Sequence, residues 1–348
     1  MAQINKPTDN FNIVEWTGDA TASRNITGVG FQPDWTWIKC RDENYNNNVF
    51  DVVRGANKYI YTDSDAAEVT ATNRLNSWNA DGFNIGDATN VNKGSPARNY
   101  VAWNWKAGNS QGTSNTDGSI NTTYTSVNAT AGFSISSYTG TASNATVGHG
   151  LNAVPKMIWF KELNPSTTRS WRVYHQALGN ANVMYLDTTN ASTSDATAFN
   201  STTPTNQVFS LGTSAGVNGS GKNYVAYCFA EKNGYSKFSS YTGNGNANGA
   251  FIYTGFKPAL VIIKKTSATG SWTIWDTKRE PNEFARPLYT NLNNAESTQS
   301  TVKLDLLSNG FKLRGNGSNI NSSGGTYVYM AWAKEPLVGT NNAAATGR

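Results

Sequence analysis

Two groups of charged residues, each an aspartate, an arginine and a glutamate, recur at similar spacing and could carry chemistry. They are Asp51, Arg54 and Glu68 in the first part of the chain, and Asp276, Arg279 and Glu296 in the last part. The middle part has His175 and Leu178 in place of the first pair. An arginine held between carboxylates forms strong charge-assisted hydrogen bonds. The pattern therefore favours an ion-pair network that fixes a loop.

The same residues could instead form a polar ligand site, or Asp51 and Glu68 could form a glycosidase pair. An arginine beside both carboxylates would keep them ionised, which works against a general acid. Trp78 offers a flat aromatic face of the kind that binds sugars. Trp171 and Trp272 occupy equivalent places before alternating runs, which favours a packing role. We therefore predict a ligand-binding set that consists of Asp51, Arg54, Glu68, Asp276, Arg279, Glu296 and Trp78.

Other catalytic constellations have little support in the sequence. The histidines are His149 and His175, and neither is near a GxSxG motif or a lone-cysteine protease arrangement. There is no HExxH pattern and no cysteine pair for a metal, and no helix-forming run or GK[ST] follows Gly243 to Gly245 to hold a phosphate. The sequence predicts no catalytic residue, no metal and no cofactor, and hence a protein that is not an enzyme.

These side chains must be positioned by a structural unit that the chain repeats three times. The stretch YVAWNWK at Tyr100 to Lys106 recurs as YVAYCFA at Tyr224 to Ala230 and as YVYMAWA at Tyr327 to Ala333. In each copy, bulky and small residues alternate with a period of two, which indicates a strand. We expect the bulky face to fill the core of a sandwich in each repeat, so that Trp103, Tyr227 and Met330 lie in three separate domains.

The spacing of the repeats is regular. Each begins with an aromatic-Thr-Gly step and reaches Pro33, Pro155 or Pro258 after 17 residues. An apolar run follows each proline, and its last residue, Lys39, Lys161 or Lys264, is expected to be a solvated charge at a strand end. We assign residues 1–107 to repeat one, 108–131 to a polar linker, 132–232 to repeat two, and 233–348 to repeat three with a short C-terminal tail.

Composition favours an all-β chain. Charged residues make up 15% and aromatic residues 12%, with abundant Gly, Asn, Ser and Thr, as is typical of short strands joined by polar turns. Cys40 and Cys228 lie in apolar stretches of different repeats and are expected to be buried and unpaired. No apolar run is long enough for a membrane span, and the first residues lack a signal peptide's apolar region.

The net charge of +5 is concentrated in repeat three, which has 12 basic and 6 acidic residues. A field of one sign speeds the encounter with an acidic partner, such as an anionic polysaccharide or an acidic protein surface. Nucleic acid is a weaker option, because the basic residues are scattered through predicted strands without a basic helix or stacked aromatics.

Several stretches together resemble repeat modules in virion structural proteins of environmental and marine tailed bacteriophages. They are WTG, PDWTWIK, DVVRG and YVAWNWK in repeat one, and GFSISSYTG, TVGHGL, PKMIWFK and WRVYHQALG in repeat two. The resemblance covers nearly the whole chain and implies three tandem concanavalin A-like (jelly-roll) β-sandwiches. Repeat two lacks the Asp-Arg pair and repeat three lacks the GHGL element, and no catalytic residue is carried over.

The resemblance implies a bacteriophage virion structural protein, made in the host cytoplasm. We expect a tail fibre or receptor-binding appendage that recognises host surface glycans. The alternatives are a capsid decoration or head-surface protein, and a polysaccharide-degrading tail spike. The expected partners are other virion proteins and host cell-surface polysaccharide. Assembly into a homotrimer is one expected arrangement. Neither a membrane nor a nucleic acid is expected as a partner.

Overall fold

The structure is a computed structural model that describes residues 3–164, 168–279, 285–339 and 344–345. It is an all-β protein with several antiparallel sheets, as the composition predicts. The α-helices of the described ranges are single turns, and none of them could cross a membrane.

The elements of repeat one follow a short 3-10 turn at Pro7–Asp9. They are β1 (Phe11–Thr17), β2 (Arg24–Thr27), β3 (Trp35–Cys40), β4 (Asn48–Asp51), β5 (Lys58–Tyr61), β6 (Val69–Thr70), β7 (Leu75–Asn79), β8 (Gly82–Ile85), α1 (Thr89–Asn92) and β9 (Asn99–Trp105).

The elements of the middle of the chain include a strand in the predicted linker and a 3-10 turn at Gln176–Leu178. They are β10 (Tyr124–Asn128), β11 (Phe133–Thr139), β12 (Ala145–Gly148), β13 (Pro155–Glu162), β14 (Arg172–His175), β15 (Asn182–Val183), β16 (Thr193–Ser194), β17 (Val208–Leu211), α2 (Ala215–Asn218) and β18 (Asn223–Ala230).

The elements of repeat three have the same order. They are β19 (Ser236–Thr242), β20 (Phe251–Tyr253), β21 (Phe256–Lys265), β22 (Thr273–Asp276), β23 (Leu288–Tyr289), β24 (Leu304–Leu307), β25 (Gly310–Leu313), α3 (Ser318–Asn321) and β26 (Thr326–Pro336).

Each repeat contains one larger and one smaller antiparallel sheet, and repeat two has a further two-stranded sheet, β15-β16. The larger sheets have the strand orders β1-β9-β3-β4-β5-β6, β10-β11-β18-β13-β14 and β19-β26-β21-β22-β23. The corresponding smaller sheets are β2-β8-β7, β12-β17 and β20-β25-β24. The predicted closing strands β9, β18 and β26 therefore lie between two neighbours in the larger sheet, so the backbone groups at both of their edges are paired.

The two faces of each closing strand enter different cores. In β9, Tyr100 and Ala102 pack beneath the smaller sheet of repeat one, whereas Val101, Trp103 and Trp105 face the other way. The same division holds in β18 and β26, so each repeat has a core of its own between its two sheets.

The bulky faces of all three larger sheets pack against one another in one central core. Trp35 of repeat one lies 5.0 Å from the ring of Tyr227 of repeat two, and Trp332 of repeat three lies 5.2 Å from Trp105. Trp332 also lies 5.5 Å from Phe229, which closes the contacts among the three repeats. The expectation that these faces fill three separate cores is therefore wrong, because periodicity identifies a buried face but not the surface that covers it.

Residues 108–131, predicted to be a linker, are part of the sheets of repeat two. Strand β10 pairs with β11, and Thr125 and Ser126 are buried in it. Their hydroxyl groups have partners, since Thr125 Oγ1 lies 3.2 Å from Ser136 Oγ and Ser126 Oγ accepts from Gly108 N. Thr125 and Ser126 can be buried in this otherwise largely exposed segment because their hydroxyl groups are hydrogen-bonded.

Replacing Trp103 by Ala should lower the free energy of unfolding by about 3–5 kcal/mol, the usual cost of truncating a buried aromatic residue. Because Trp103 lies in the central core, calorimetry should show one transition for the whole chain at a lower temperature. Tyr253→Ala, at an exposed aromatic residue, is the control and should change stability by less than about 0.5 kcal/mol. Separate melting of repeat one would contradict the shared core.

Candidate functional site

Asp51 and Arg54, predicted to form an ion pair, lie at the junction between repeats one and two. Asp51 is buried at the end of β4, and its Oδ2 accepts hydrogen bonds from Arg54 Nε at 2.5 Å and from Tyr227 Oη at 2.6 Å. Burial opposes the charge of Arg54, but Asp51, Tyr227 and Glu68 together outweigh it and raise the pKa of the guanidinium. Arg54 Nη1 also contacts Glu68 Oε2 at 3.2 Å.

The equivalent group in repeat three joins that repeat to repeat one. Asp276 Oδ2 accepts from Arg279 Nε at 2.6 Å and from the indole Nε1 of Trp103 at 3.1 Å. Trp103 and Tyr227 occupy the same place in their closing strands, so each aspartate binds a donor from a neighbouring repeat. The ion pairs therefore hold the repeats together, and both aspartates are closed to solvent.

His175 takes the place of the aspartate in repeat two. The closing strand of repeat three has Met330 where the other two have a tyrosine or a tryptophan with a polar hydrogen. No acceptor is required opposite a methionine, which accounts for the missing carboxylate. Burial lowers the pKa of His175 to about 4, so its ring is neutral near pH 7.

The three recurring lysines are buried at the junctions, and the prediction that they are solvated charges is wrong. Each ammonium group donates to a backbone carbonyl of another repeat. These bonds are Lys39 to Asn293 at 2.8 Å, Lys161 to Asp65 at 2.8 Å and Lys264 to Thr189 at 3.1 Å. The three accepting residues lie at equivalent positions, four residues beyond Tyr289, Tyr61 and Tyr185. The three junctions thus have the same arrangement and form a closed cycle.

Backbone and indole hydrogen bonds repeat the same cycle. At each junction a backbone amide of one repeat donates to a backbone carbonyl of the next. These bonds are Glu296 to Arg41 at 2.7 Å, Glu68 to Leu163 at 3.3 Å and Ser192 to Thr266 at 3.1 Å. Trp171 Nε1 donates to the carbonyl of Tyr61 at 2.8 Å, and Trp272 Nε1 donates to that of Tyr185 at 2.9 Å. The predicted packing role of both tryptophans is confirmed, because both are buried.

The junction between repeats three and one is closed by Arg41. Its Nε contacts Glu296 Oε2 at 2.8 Å and its Nη1 contacts Glu15 Oε1 at 2.6 Å. Glu296 also binds Arg279 Nη1 at 2.7 Å. The side chain of Arg41 thus occupies the space between the two repeats.

The junction between repeats one and two is open at the equivalent place. Leu163 stands where repeat one has Arg41, and Ser137 stands where it has Glu15. A groove of about 350 Å³ lies there, and the polar residues that line it include Arg54, Lys58, Glu68, Tyr124, Asn164 and Asn223. Lys58 Nζ lies 3.4 Å from Glu68 Oε1. The groove combines a cation, a carboxylate, amides and an aromatic ring, which together can bind hydroxyl groups.

The structure places the predicted ligand-binding residues in three different settings. Arg54 and Glu68 line the groove, whereas Asp51 lies buried beneath it. Asp276, Arg279 and Glu296 belong to the closed junction. Trp78 lies on β7, outside the groove, and packs against the apolar clusters of repeat one and of the centre.

The sequence analysis missed Tyr124, Asn164 and Asn223 as groove residues. Tyr124 lies in the segment predicted as a linker, and Asn164 follows β13. Asn223 is the first residue of β18, and its Oδ1 accepts from Thr139 Oγ1 at 3.0 Å, as Asn99 Oδ1 accepts from Thr17 Oγ1 at 2.9 Å in repeat one. The replacement of Arg41 and Glu15 by smaller uncharged residues was the available signal for an open junction.

One comparison with known proteins gives a match. A family model described as a domain of unknown function, DUF7483, matches residues 6–336. The match spans all three repeats. A search of the curated proteins finds no match.

The buried lysines should make the folded state more stable as the pH rises from about 7.5 to 9.5. Burial lowers the pKa of Lys39 and Lys161 to about 8 and that of Lys264 to about 7. An unfolded lysine titrates near a pKa of about 10.4, so across this window the unfolded chain holds more protons than the folded chain, and a rise in pH disfavours the unfolded chain.

Urea denaturation at several pH values measures this effect. Lys264→Met should reduce the slope of stability against pH, whereas Lys278→Met, at an exposed lysine, should leave it unchanged. A stability that falls steadily across the window for the unaltered protein would show that the three ammonium groups are not held as described.

Proposed function

The chain belongs to the DUF7483 family, a domain of unknown function, and we propose that it is a bacteriophage virion structural protein that binds host surface glycans. The groove between repeats one and two is the glycan site. The protein is a receptor-binding component of the tail, and it acts by binding and not by catalysis. Three sandwich-like repeats of the concanavalin A type supply the scaffold.

The observation that carries the glycan proposal is the open junction. Sugar hydroxyl groups both donate and accept hydrogen bonds, so a site for them needs both kinds of group on a rigid frame. Lys58 supplies a donor, Glu68 supplies acceptors, and the amides of Asn164 and Asn223 supply polar groups at the rim. Tyr124, which is partly exposed, offers a ring face at the edge.

The same geometry favours binding over glycoside hydrolysis. The carboxylates of Asp51 and Glu68 both contact Arg54, and Asp51 has no surface that a substrate could reach. Glu68 is further paired with Lys58. A general acid must reach the glycosidic oxygen with a carboxyl group, whereas both oxygens of Glu68 already contact the cationic side chains of Arg54 and Lys58.

A head-surface decoration protein is the second candidate, and the cyclic arrangement of the repeats favours it. Equivalent bonds join repeat one to three, three to two and two to one. A single chain with this pseudo-threefold order fits a threefold position on a closed shell without forming a homotrimer. Electron microscopy of intact particles labelled through an antibody to the chain distinguishes a tail position from a head position.

The glycan site can be tested with polysaccharide from cells that adsorb the particle, by titration calorimetry on the full chain. Asn223→Ala should weaken binding about 3- to 10-fold, the effect of losing one or two hydrogen bonds. Asn99→Ala is the matched control, because Asn99 makes the same bond to a threonine at the closed junction. It should leave the affinity unchanged.

Leu163→Arg tests the groove by filling it. The new side chain should occupy the space that Arg41 occupies at the closed junction, contact Glu68 and abolish polysaccharide binding. Leu163→Met preserves an apolar side chain and should retain it. Polysaccharide binding that survives Leu163→Arg would place the glycan site elsewhere.

A further inference from the structure

The smaller sheets of the three repeats have equivalent edge strands, but the residues at or beside the edge strand differ from repeat to repeat. Strands β2, β12 and β20 occupy this position, with Ile26, Val147 and Ile252 paired to a phenylalanine in every case. An edge strand has unpaired backbone groups that can template another strand, so proteins protect it. In repeat one the exposed residues of the edge strand are polar, Asn25 and Thr27, and Asn25 Oδ1 accepts from Asn79 and Asn84 of the same sheet at 3.0 and 2.8 Å.

In repeat two, an extended segment of the chain itself covers the edge. Ile120 forms a parallel bridge with Val147, and its amide donates to the carbonyl of Thr146 at 2.9 Å. The amide of Ser119 donates to Thr146 Oγ1 at 2.9 Å, and the amide of Thr146 donates to Ser119 Oγ at 2.9 Å. Ile120 is buried in the core of repeat two.

The covering segment needs a glycine where the two backbones meet. A Cβ atom at Gly118 would lie 2.4 Å from the carbonyl oxygen of Thr146. The sequence Gly118-Ser119-Ile120 therefore combines close approach, a hydroxyl group for the edge and an aliphatic side chain for the core.

In repeat three, no described residue pairs with the outer edge of β20. The carbonyl of Ala250 and the amide of Thr254 bond to the neighbouring strand or its turn, which directs the backbone groups of Phe251 and Tyr253 outward. Phe251 and Tyr253 are 45% and 57% exposed. Ile252 is 7% exposed, whereas its equivalent Val147, beneath the covering segment, is fully buried.

A groove of about 400 Å³ lies beside the strand. Its lining is mixed, with apolar Tyr253, Leu337 and Val338 next to polar Lys237 and Glu231. Val338 is itself 41% exposed. Clustered exposed apolar side chains beside an open strand edge mark a surface that binds another polypeptide.

We propose that the edge of β20 binds an extended segment of a partner polypeptide, which adds to the sheet as a parallel strand. The segment has a glycine, a small hydroxyl-bearing or aliphatic residue and then a larger aliphatic residue, as Gly118 to Ile120 has in repeat two. Repeat two is preceded by its own covering segment, whereas repeat three follows repeat two after residues 232–234, and none of the residues that the structure describes covers the edge of β20. This surface belongs to repeat three and is separate from the glycan groove.

The probe is a fluorescent synthetic peptide with the sequence of residues 113–122, added to the full chain and followed by anisotropy. Binding should slow hydrogen exchange of the amides of Phe251 and Tyr253. The peptide with Gly118→Val should not bind, because the added side chain prevents the close approach of the backbones.

Phe251→Pro removes one outward N–H while leaving the bonds between β20 and β25 intact, and it should weaken binding at least tenfold. Asn25→Pro makes the same change at the equivalent position of repeat one and should have no effect on binding. Circular dichroism confirms that both variants fold. Failure of the peptide to bind, or equal binding by Phe251→Pro, would overturn the proposal.

Discussion

The rest of the structure depends on the packing of three sheet faces into one central core. Each larger sheet is apolar on both faces, but the smaller sheet of its repeat covers only one of them. The other face carries tryptophan, tyrosine and phenylalanine side chains that no repeat can bury alone. Burying such large side chains dominates the energetics of a core, so the repeats must assemble around a common centre.

A core rich in tryptophan and tyrosine imposes a second requirement, because some of their polar hydrogens need acceptors. The acceptors lie in neighbouring repeats: Asp276 for Trp103, Asp51 for Tyr227, and backbone carbonyls for Trp171 and Trp272. The arginines that accompany the two aspartates offset the charge placed inside the protein. Removing one partner of such a network leaves a buried group unsatisfied, which couples the repeats more strongly than apolar contact alone.

The buried lysines extend this argument to the rim of the core. An ammonium group loses much of its hydration when it is buried, so its position must supply several acceptors. Lys161 Nζ donates to two backbone carbonyls. One belongs to Arg169 of its own repeat, at 2.7 Å, and the other to Asp65 of repeat one, at 2.8 Å. The bond to the neighbouring repeat requires one particular register between the two repeats. Fixing that register is a better account of three buried charges than added stability, since buried ions are often no more stabilising than apolar residues.

Much of this could be predicted from the sequence, and what could not has a physical reason. The period-two pattern of Tyr100 to Lys106 predicts a strand with two distinct faces, because side-chain direction is a local property of the backbone. The pairing of Asp51 with Arg54 follows from charge and spacing. The common core, by contrast, depends on how repeats meet, and a lysine at a strand end has the same sequence pattern whether water or a neighbouring carbonyl surrounds it. The strand at Tyr124–Asn128 was not predicted because composition reports apolar content, whereas the burial of Thr125 and Ser126 depends on hydroxyl groups that have hydrogen-bond partners.

The cycle of equivalent bonds also explains how one junction can acquire a function that the others lack. Two sets of hydrogen bonds fix the spacing of the junctions: the backbone bonds of Glu68, Ser192 and Glu296, and the bonds of the three buried lysines. Side chains at the rim of a junction are therefore free to vary. Arg41 closes one junction by bridging Glu15 and Glu296. At the junction between repeats one and two, Leu163 and Ser137 stand in place of Arg41 and Glu15, and Glu68 therefore faces an open groove. The backbone hydrogen bonds of the junction are the same. A ligand site formed in this way requires no change in the packing that holds the repeats together, which is why it can differ between junctions of one chain.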